Sequence, residues 1–482
     1  MTTDPGSPAG ARDGATRIER DSMGEMEVPA DALYGASTQR AVLNFPISGQ
    51  RLPRAFLRAL ALIKQAAAET NAELGLLDAD LARAIAAAAV EIAAGRHDEQ
   101  FPIDVYQTGS GTSTNTNMTE VVAHLATDRL AAGAGSPPRR IHPNDHVNRC
   151  QSSNDVIPTA LQLSAAMRLE EALLPALERL RAALDGKADE LWPVVKTGRT
   201  HLQDATPIRL GQEFRGYAGQ VEESIRRART AQAELLSVPL GGTAVGTGIN
   251  AHPEFASRAT RRLSALTGLD VREAANHFHA QATLDTSIAA HGAIRAAALS
   301  LWKIASDIRL MGMGPRAGIA EIALPETQPG SSIMPGKVNP VIIESLTMVV
   351  ARVVGNDATI AFGQTGSMLE LNVMLPVTAV ALLESVELLA AAAGNFADRA
   401  ISGIAATDRG PALVEQGLML ATALAPEIGY DAAAALAKEA LRTGRTIREL
   451  AGEQGVAADR LDELLDPASM TEPGLAAGPT SG

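Results

Sequence analysis

Aromatic residues are scarce: two Trp, four Tyr and eight Phe, 3% of 482 positions. Proteins that bind nucleic acid combine a basic surface with stacking aromatics. Here 42 Lys and Arg face 55 Asp and Glu, for a net charge of −13, so no nucleic-acid partner is expected. An acidic total leaves an anionic substrate open, because a cleft can be locally positive. A single cysteine, Cys150, excludes an intrachain disulfide framework and any zinc site built from several cysteines. It fits a reducing compartment. The opening residues contain no apolar stretch of the secretory kind. The most apolar tract, Leu371 to Phe396, is interrupted by Pro376, Glu384 and Glu387. A membrane helix needs about 20 apolar residues with few charges. No membrane partner is therefore expected, and the chain reads as cytoplasmic.

What the chain has instead is alanine and leucine at helical spacing. Hydrophobic residues make up 46% and charged residues 20%, a globular balance. Alanine is the best helix former, and its small side chain lets helices approach closely. The fold class expected is mainly all-α. Residues 1–17 read as a disordered leader, 18–151 as an N-terminal domain, 152–408 as a central helical bundle and 409–482 as a small C-terminal helical domain. Within the centre, 159–190, 209–236, 283–313, 343–363 and 377–402 each read as a long helix. At about 30 residues such a helix spans about 45 Å, and the extensive Ala/Leu faces suggest subunits that complete each other's cores. Shorter helices are expected at 413–424, 430–442, 445–453 and 457–464. Short strands are possible near Met26 and Val194.

Polar islands interrupt the helices. Residues 100–118, QFPIDVYQTGSGTSTNTNM, read as a loop entering a helix near Thr119. Residues 133–158, 196–208, 239–252 and 325–340 are likewise irregular. They are rich in Ser, Thr, Asn and Gly, with a few His and Lys and few carboxylates. Loops held by rigid helices are where binding groups gather, and this many donors suits a small, multiply anionic substrate. In Gly330–Pro340, successive amides around Ser331 could form an anion-binding nest, making its hydroxyl a base, with Lys337 as a point charge for a carboxylate. His201 could serve as a general acid or base, or be structural. Glu344, at the start of a helix, could orient a histidine or face the helix dipole. Gly109–Thr112 is weak as a glycine-rich motif and lacks the lysine of a Walker loop. The glycines after Pro239 lack the strand–helix context of a dinucleotide site and read as a structural turn. His142 with His146, and His277 with His279, invite a metal reading, yet no second ligand cluster accompanies them. No metal or cofactor is expected.

Taken together, these segments are not independent. GSSIMPGKVNP resembles the signature of the fumarase/aspartase superfamily. QTGSGTS, HPND followed by SSND, and GRTHLQDA resemble the same superfamily in the same order, over about Ile18 to Gly474. DALYGASTQRAVLNFPISG and LELNV bring the chain nearest to the class II fumarases, the metal-independent, homotetrameric kind.

The resemblance implies a five-helix bundle per subunit, a twenty-helix core in the tetramer, and active sites where three subunits meet. It implies reversible anti elimination of water from L-malate to give fumarate, as in the tricarboxylic acid cycle. Ser331 matches the base, Lys337 and Asn339 the groups that stabilise the aci-carboxylate, and His201 with Glu344 the acid side, acting through water. Ser110, Gly111, Thr112, Ser152, Ser153, Asn154, Thr200, Ser332 and Val338 match substrate-binding positions. Arg139, His142, Pro143, Asn144 and Asp145 match a second dicarboxylate site. Where these fumarases commonly have Asp, Ser, Asn and Thr-Phe, this chain has His146, Cys150, Thr119 and Val156-Ile157. An aspartate ammonia-lyase, or a lyase releasing fumarate from another substituted succinate, would share Ser331 and Lys337; aspartases commonly have Gln at the histidine. A catalytically silent helical scaffold would not need the set.

Overall fold

Helical periodicity decides most of the architecture. The computed structural model describes residues 15–133 and 139–474, which carry seventeen α-helices. A hairpin of β1 (Thr16–Asp21) and β2 (Gly24–Pro29) leads into α1 (Ala36–Asn44), α2 (Arg54–Glu73), α3 (Ala79–Ala93) and α4 (Thr112–Gly133). Then come α5 (Ser153–Arg168), α6 (Leu174–Glu190), a second antiparallel hairpin of β3 (Val195–Thr200) and β4 (Gln203–Arg209), and α7 (Leu210–Leu235). They are followed by α8 (Phe255–Thr267), α9 (His277–Ala282), α10 (Asp285–Met311), α11 (Val341–Gly363) and α12 (Leu375–Arg399). Five short helices close the chain: α13 (Arg409–Val414), α14 (Ala421–Ile428), α15 (Tyr430–Thr443), α16 (Ile447–Glu453) and α17 (Ala458–Leu464).

The mainly helical class and the long central helices are as the pattern predicts. The helix expected over 159–190 is interrupted by a wide turn at Leu169–Leu173 ahead of Pro175, which has no N–H to give to the preceding turn. Three expectations are corrected. The leader reading over 1–17 lies outside the described residues for 1–14, and Thr16 and Arg17 are in β1, paired with Pro29 and Val28. The helix expected from Thr119 starts seven residues earlier, because its polar first turns find partners. Thr114 Oγ1 donates to Gln107 Oε1 at 2.8 Å, and Asn117 Nδ2 to the Gln100 carbonyl at 2.9 Å. The helix expected over 413–424 breaks at Gly417 into α13, a short turn and α14. By length and composition alone α12 is apolar enough to span a membrane, contrary to the reading of its tract, but 67% of that window is buried within the chain.

The chain divides into two compact units, one from residues 1–171, 228–293 and 354–387, the other from 172–227, 294–353 and 388–482. In the first, α2 packs against α3, α5 and α8, and α3 against α4. The buried face of α2 runs from Phe56 through Leu60 and Ile63 to Ala67, the i, i+4, i+7 spacing of a stripe facing a core. In the second, β3 lies against α13. There α14–α17 close over Leu424, Leu436, Ile447, Leu450, Leu461 and Leu464.

Candidate active site

Two groups of the expected residues are assembled, one in each unit. In the first, Ser110 and Gly111 end the loop before α4, and Thr112 is the first residue of that helix. Gly111 sits at φ +70°, a conformation that favours glycine. Gly109 is required for another reason: a Cβ there would lie 1.9 Å from the Val373 carbonyl oxygen. A chain of hydroxyls follows. Ser110 Oγ lies 2.8 Å from Thr112 Oγ1, which lies 2.7 Å from Ser153 Oγ at the first turn of α5. The amino-terminal ends of α4 and α5 thus meet at these hydroxyls. Helix N-termini present unpaired amides and a positive dipole end, which suits a carboxylate.

Asp155 holds that meeting point. One carboxylate oxygen accepts the Ser152 N–H at 2.9 Å, while Ser152 Oγ accepts the Asn154 N–H, closing a capping box. The other oxygen accepts the N–H groups of Gly241 and Thr243, at 2.9 and 3.0 Å. Asn154 Nδ2 reaches the Ala244 carbonyl at 2.8 Å. The glycine-rich island after Pro239 is therefore a turn folded onto the start of α5, as its bland reading had it. Asp155 is fully buried; burial pushes its carboxyl up, while the amides of Ser152, Gly241 and Thr243 oppose it. Beneath the same loop, Lys64 of α2 is buried at 0% exposure. Its ammonium donates to Asn148 Oδ1 at 2.9 Å and Gln151 Oε1 at 3.0 Å. Burial pulls its pKa down to about 7.

In the second unit, His201 occupies the tip of the β3–β4 hairpin. Thr200 pairs with Gln203, leaving a two-residue turn of His201 and Leu202 at φ +55° and +58°. Tight hairpins want both central residues left-handed, and Asn-Gly is the usual choice. Histidine and leucine there are strained, a feature that collects at functional sites. The imidazole is exposed, and Leu202 is 74% exposed. The loop 325–340 is closed at its base: the Gly330 N–H donates to the Lys337 carbonyl at 2.8 Å, and Asn339 Nδ2 donates to the Gly330 carbonyl at 2.6 Å. Ser331 Oγ accepts two backbone N–H groups, from Ile333 at 3.2 Å and Met334 at 2.9 Å. Two amide dipoles aimed at one oxygen favour its alkoxide form. Ser332, Lys337 and Val338 are exposed, and no partner within the described residues engages the Lys337 ammonium.

Glu344 lies in the first turn of α11. Within one chain the expected His201–Glu344 pair shares no hydrogen bond, and neither side chain has another partner among the described residues. At the second-site motif, Arg140, His142, Pro143 and Asn144 line a cavity of about 740 Å³ together with Arg17 and Arg20. Arg139 does not line it and pairs with Asp78, and Asp145 gives its N–H to His142 Nδ1 at 3.1 Å. His146 Nδ1 accepts the His142 N–H at 2.9 Å; burial pushes its pKa down, which keeps it a neutral acceptor. Cys150 is buried at φ +60°, and burial pushes its thiol up, away from the reactive thiolate. Among the described residues no three His, Cys, Asp or Glu side chains cluster as metal ligands would.

Sequence reasoning missed Lys64, Asp155, Arg199 and Glu321. Lys64 left a signal, a lone charge on the apolar stripe of α2, four residues after Leu60. Arg199 lies inside the GRTH segment. Glu321, 1% exposed, has no local mark, because its partners are distant.

Residues 24–355 match the family model described as Lyase, and residues 420–472 the one described as Fumarase C C-terminus. The chain is 51% identical to the fumarate hydratase class II of Methylorubrum extorquens over 462 residues, 95% of this chain and 97% of that one. It is 52% identical to the protein of the same name from Halobacterium salinarum, over 96% and 98% of the two chains. Among solved structures, a class II fumarase from Schistosoma mansoni superposes with a TM-score of 0.92 at 38% identity, covering 95% of this chain and 100% of that one.

The buried lysine has a testable pH signature. Unfolded, Lys64 keeps its proton up to about pH 10.4; folded, it releases it near 7. Between those values the unfolded chain binds the extra proton, so stability contributed by this site rises with pH. Thermal unfolding of the wild type and of Lys64→Met at pH 7 and pH 9 should show the wild type gaining on the variant at the higher pH. Parallel behaviour would refute the assignment.

Proposed function

Because the chain belongs to the class II fumarase family, we propose that it is a hydro-lyase acting by reversible anti elimination of water from L-malate to give fumarate. The observation that carries the catalytic assignment is the Ser331 oxygen under the Ile333 and Met334 amides. An alkoxide so held can take the proton from C3 of malate. The electron pair left on carbon passes into the adjacent carboxylate, which gains a second negative charge. Lys337 supplies a point charge for it. Asn339 spends one amide N–H on closing the loop, and its second N–H is free to reach the same charge. Preorganised donors of this kind lower the barrier most where charge develops. On the other face, His201 and Glu344 act through water: the aci-carboxylate's electron pair returns to form the C2=C3 double bond as the C2–O bond breaks, and the departing hydroxyl takes a proton and leaves as water. The substrate's other carboxylate rests against Ser110, Thr112 and Ser153 at the joined helix ends.

The reading extends to assembly. His201 stands on an exposed hairpin tip with no side-chain partner among the described residues, and Ser331 opens an exposed loop, its oxygen held only by the amides of that loop. Leu299 and Trp302 of α10 are 46% exposed, and Met348 of α11 is 68% exposed. Large apolar groups left in water along core helices mark surfaces that associate. We infer a cytoplasmic, metal-independent homotetramer in which three subunits complete each site and bring Glu344 of one chain to His201 of another. Sedimentation of the purified protein should give the mass of four chains at all working concentrations; a stable monomer with full activity would overturn the shared site.

Ser331→Ala tests the base directly. Its kcat for L-malate should fall by about 10²-fold or more, with thermal stability unchanged because the loop is exposed. Turnover near the wild-type value would remove Ser331 from the role.

A further inference from the structure

Arg199 stands two residues before His201 on β3. Its guanidinium makes two parallel hydrogen bonds to Glu321, at 2.9 and 2.8 Å. Lys196 of the same strand reaches the same carboxylate at 3.1 Å and Glu213 of α7 at 3.3 Å. Side chains three apart on a regular strand point to opposite faces. Here the ladder slips between Thr197 and Arg199, and this bulge turns Lys196 and Arg199 onto one partner. Glu321 is itself fixed: its N–H donates to the Met311 carbonyl and its carbonyl accepts the Thr407 N–H, at 2.9 and 3.0 Å. Two cations of one strand are thus tied to a buried carboxylate whose backbone is held at both ends.

The tie has a strained load beyond it. His201 and Leu202 both hold a left-handed conformation that neither side chain favours. Such a turn persists only where its surroundings over-determine it. Leu202 is exposed, and His201 makes no side-chain bond among the described residues. The turn itself has only the Thr200–Gln203 backbone pair and an exposed bond from Gln203 Nε2 to the Leu202 carbonyl, so its nearest tie to a buried group is the Arg199 fork. We propose that the Arg199–Glu321 pair is a positioning device for His201, holding the end of β3 so that the strained turn keeps the imidazole at its working place. This rests on the reading of His201 as part of the acid side. A planar fork on a carboxylate sets direction as well as distance, which lysine cannot do.

A double-mutant cycle separates positioning from general support. Arg199→Lys keeps the charge and loses one prong; Glu321→Gln keeps the shape and loses the charge. Each is made in the wild type and in His201→Asn, and kcat and KM for L-malate are measured on the full-length protein. Arg199→Lys, the milder change, serves if Glu321→Gln fails to fold. In the wild-type background kcat should fall about tenfold or more, since small misplacements of a catalytic group are costly. KM should stay within about twofold, because a loss felt in the transition state leaves ground-state binding in place. In the His201→Asn background the same substitution should cost less than about twofold further, because the group it positions is gone. Equal losses in both backgrounds, or no loss in a folded Arg199→Lys, would overturn the proposal alone. A wild-type protein that forms no fumarate from L-malate, or a His201→Asn variant at the wild-type rate, would overturn the catalytic reading and the proposal together.

Discussion

The buried carboxylate of Asp155 is the interaction on which the candidate residues of the first unit depend. It faces two segments 86 residues apart, capping α5 with one oxygen and drawing in Gly241 with the other. Removing one partner from such a buried network leaves the others unsatisfied, at a cost of about 1–3 kcal/mol for each orphaned group. Those groups are the backbone that carries Ser152, Ser153 and Asn154. Lys64 enters from below through Asn148 and Gln151, so the loop is fixed on both sides before any substrate arrives. The second unit has a counterpart in Glu321, which gathers Lys196 and Arg199.

In each unit buried charged groups hold backbone in place: Lys64 and Asp155 in one, Lys196 and Glu321 in the other. His201 at the hairpin tip and Lys337 and Ser332 in the loop are exposed, with no side-chain partner among the described residues, as is Glu344 in the first turn of α11. Fixed dipoles at such tips cost no reorganisation when charge develops. The net charge of −13 is compatible with a dianionic substrate because donors are gathered locally, at the joined ends of α4 and α5 in one unit and at the Lys337 ammonium in the other. The turn at His201 holds a left-handed backbone, and the loop is clamped between Gly330 and Asn339.

Much of the fold was legible because long Ala/Leu helices announce themselves by a 3.6-residue repeat. The site motifs were legible because their composition departs locally from that repeat: glycine at 109 and 111, paired serines at 152 and 331, histidine at the hairpin tip. The start of α4 was not legible. Six polar residues ahead of Met118 look like loop until Gln107 and the Gln100 carbonyl are seen to take up Thr114 and Asn117. The anchors were less legible still, for a different reason. Arg199 and Glu321 are 122 residues apart, and nothing within a short window of either names the other.

The direct measurement is ultraviolet absorbance of fumarate formed by the purified protein, with a metal chelator present, from L-malate and separately from L-aspartate. Fumarate from malate and none from aspartate is the result expected. Fumarate from aspartate alone would make the enzyme an ammonia-lyase, and fumarate from neither would contradict the reading of the serine loop as a catalytic base for these substrates.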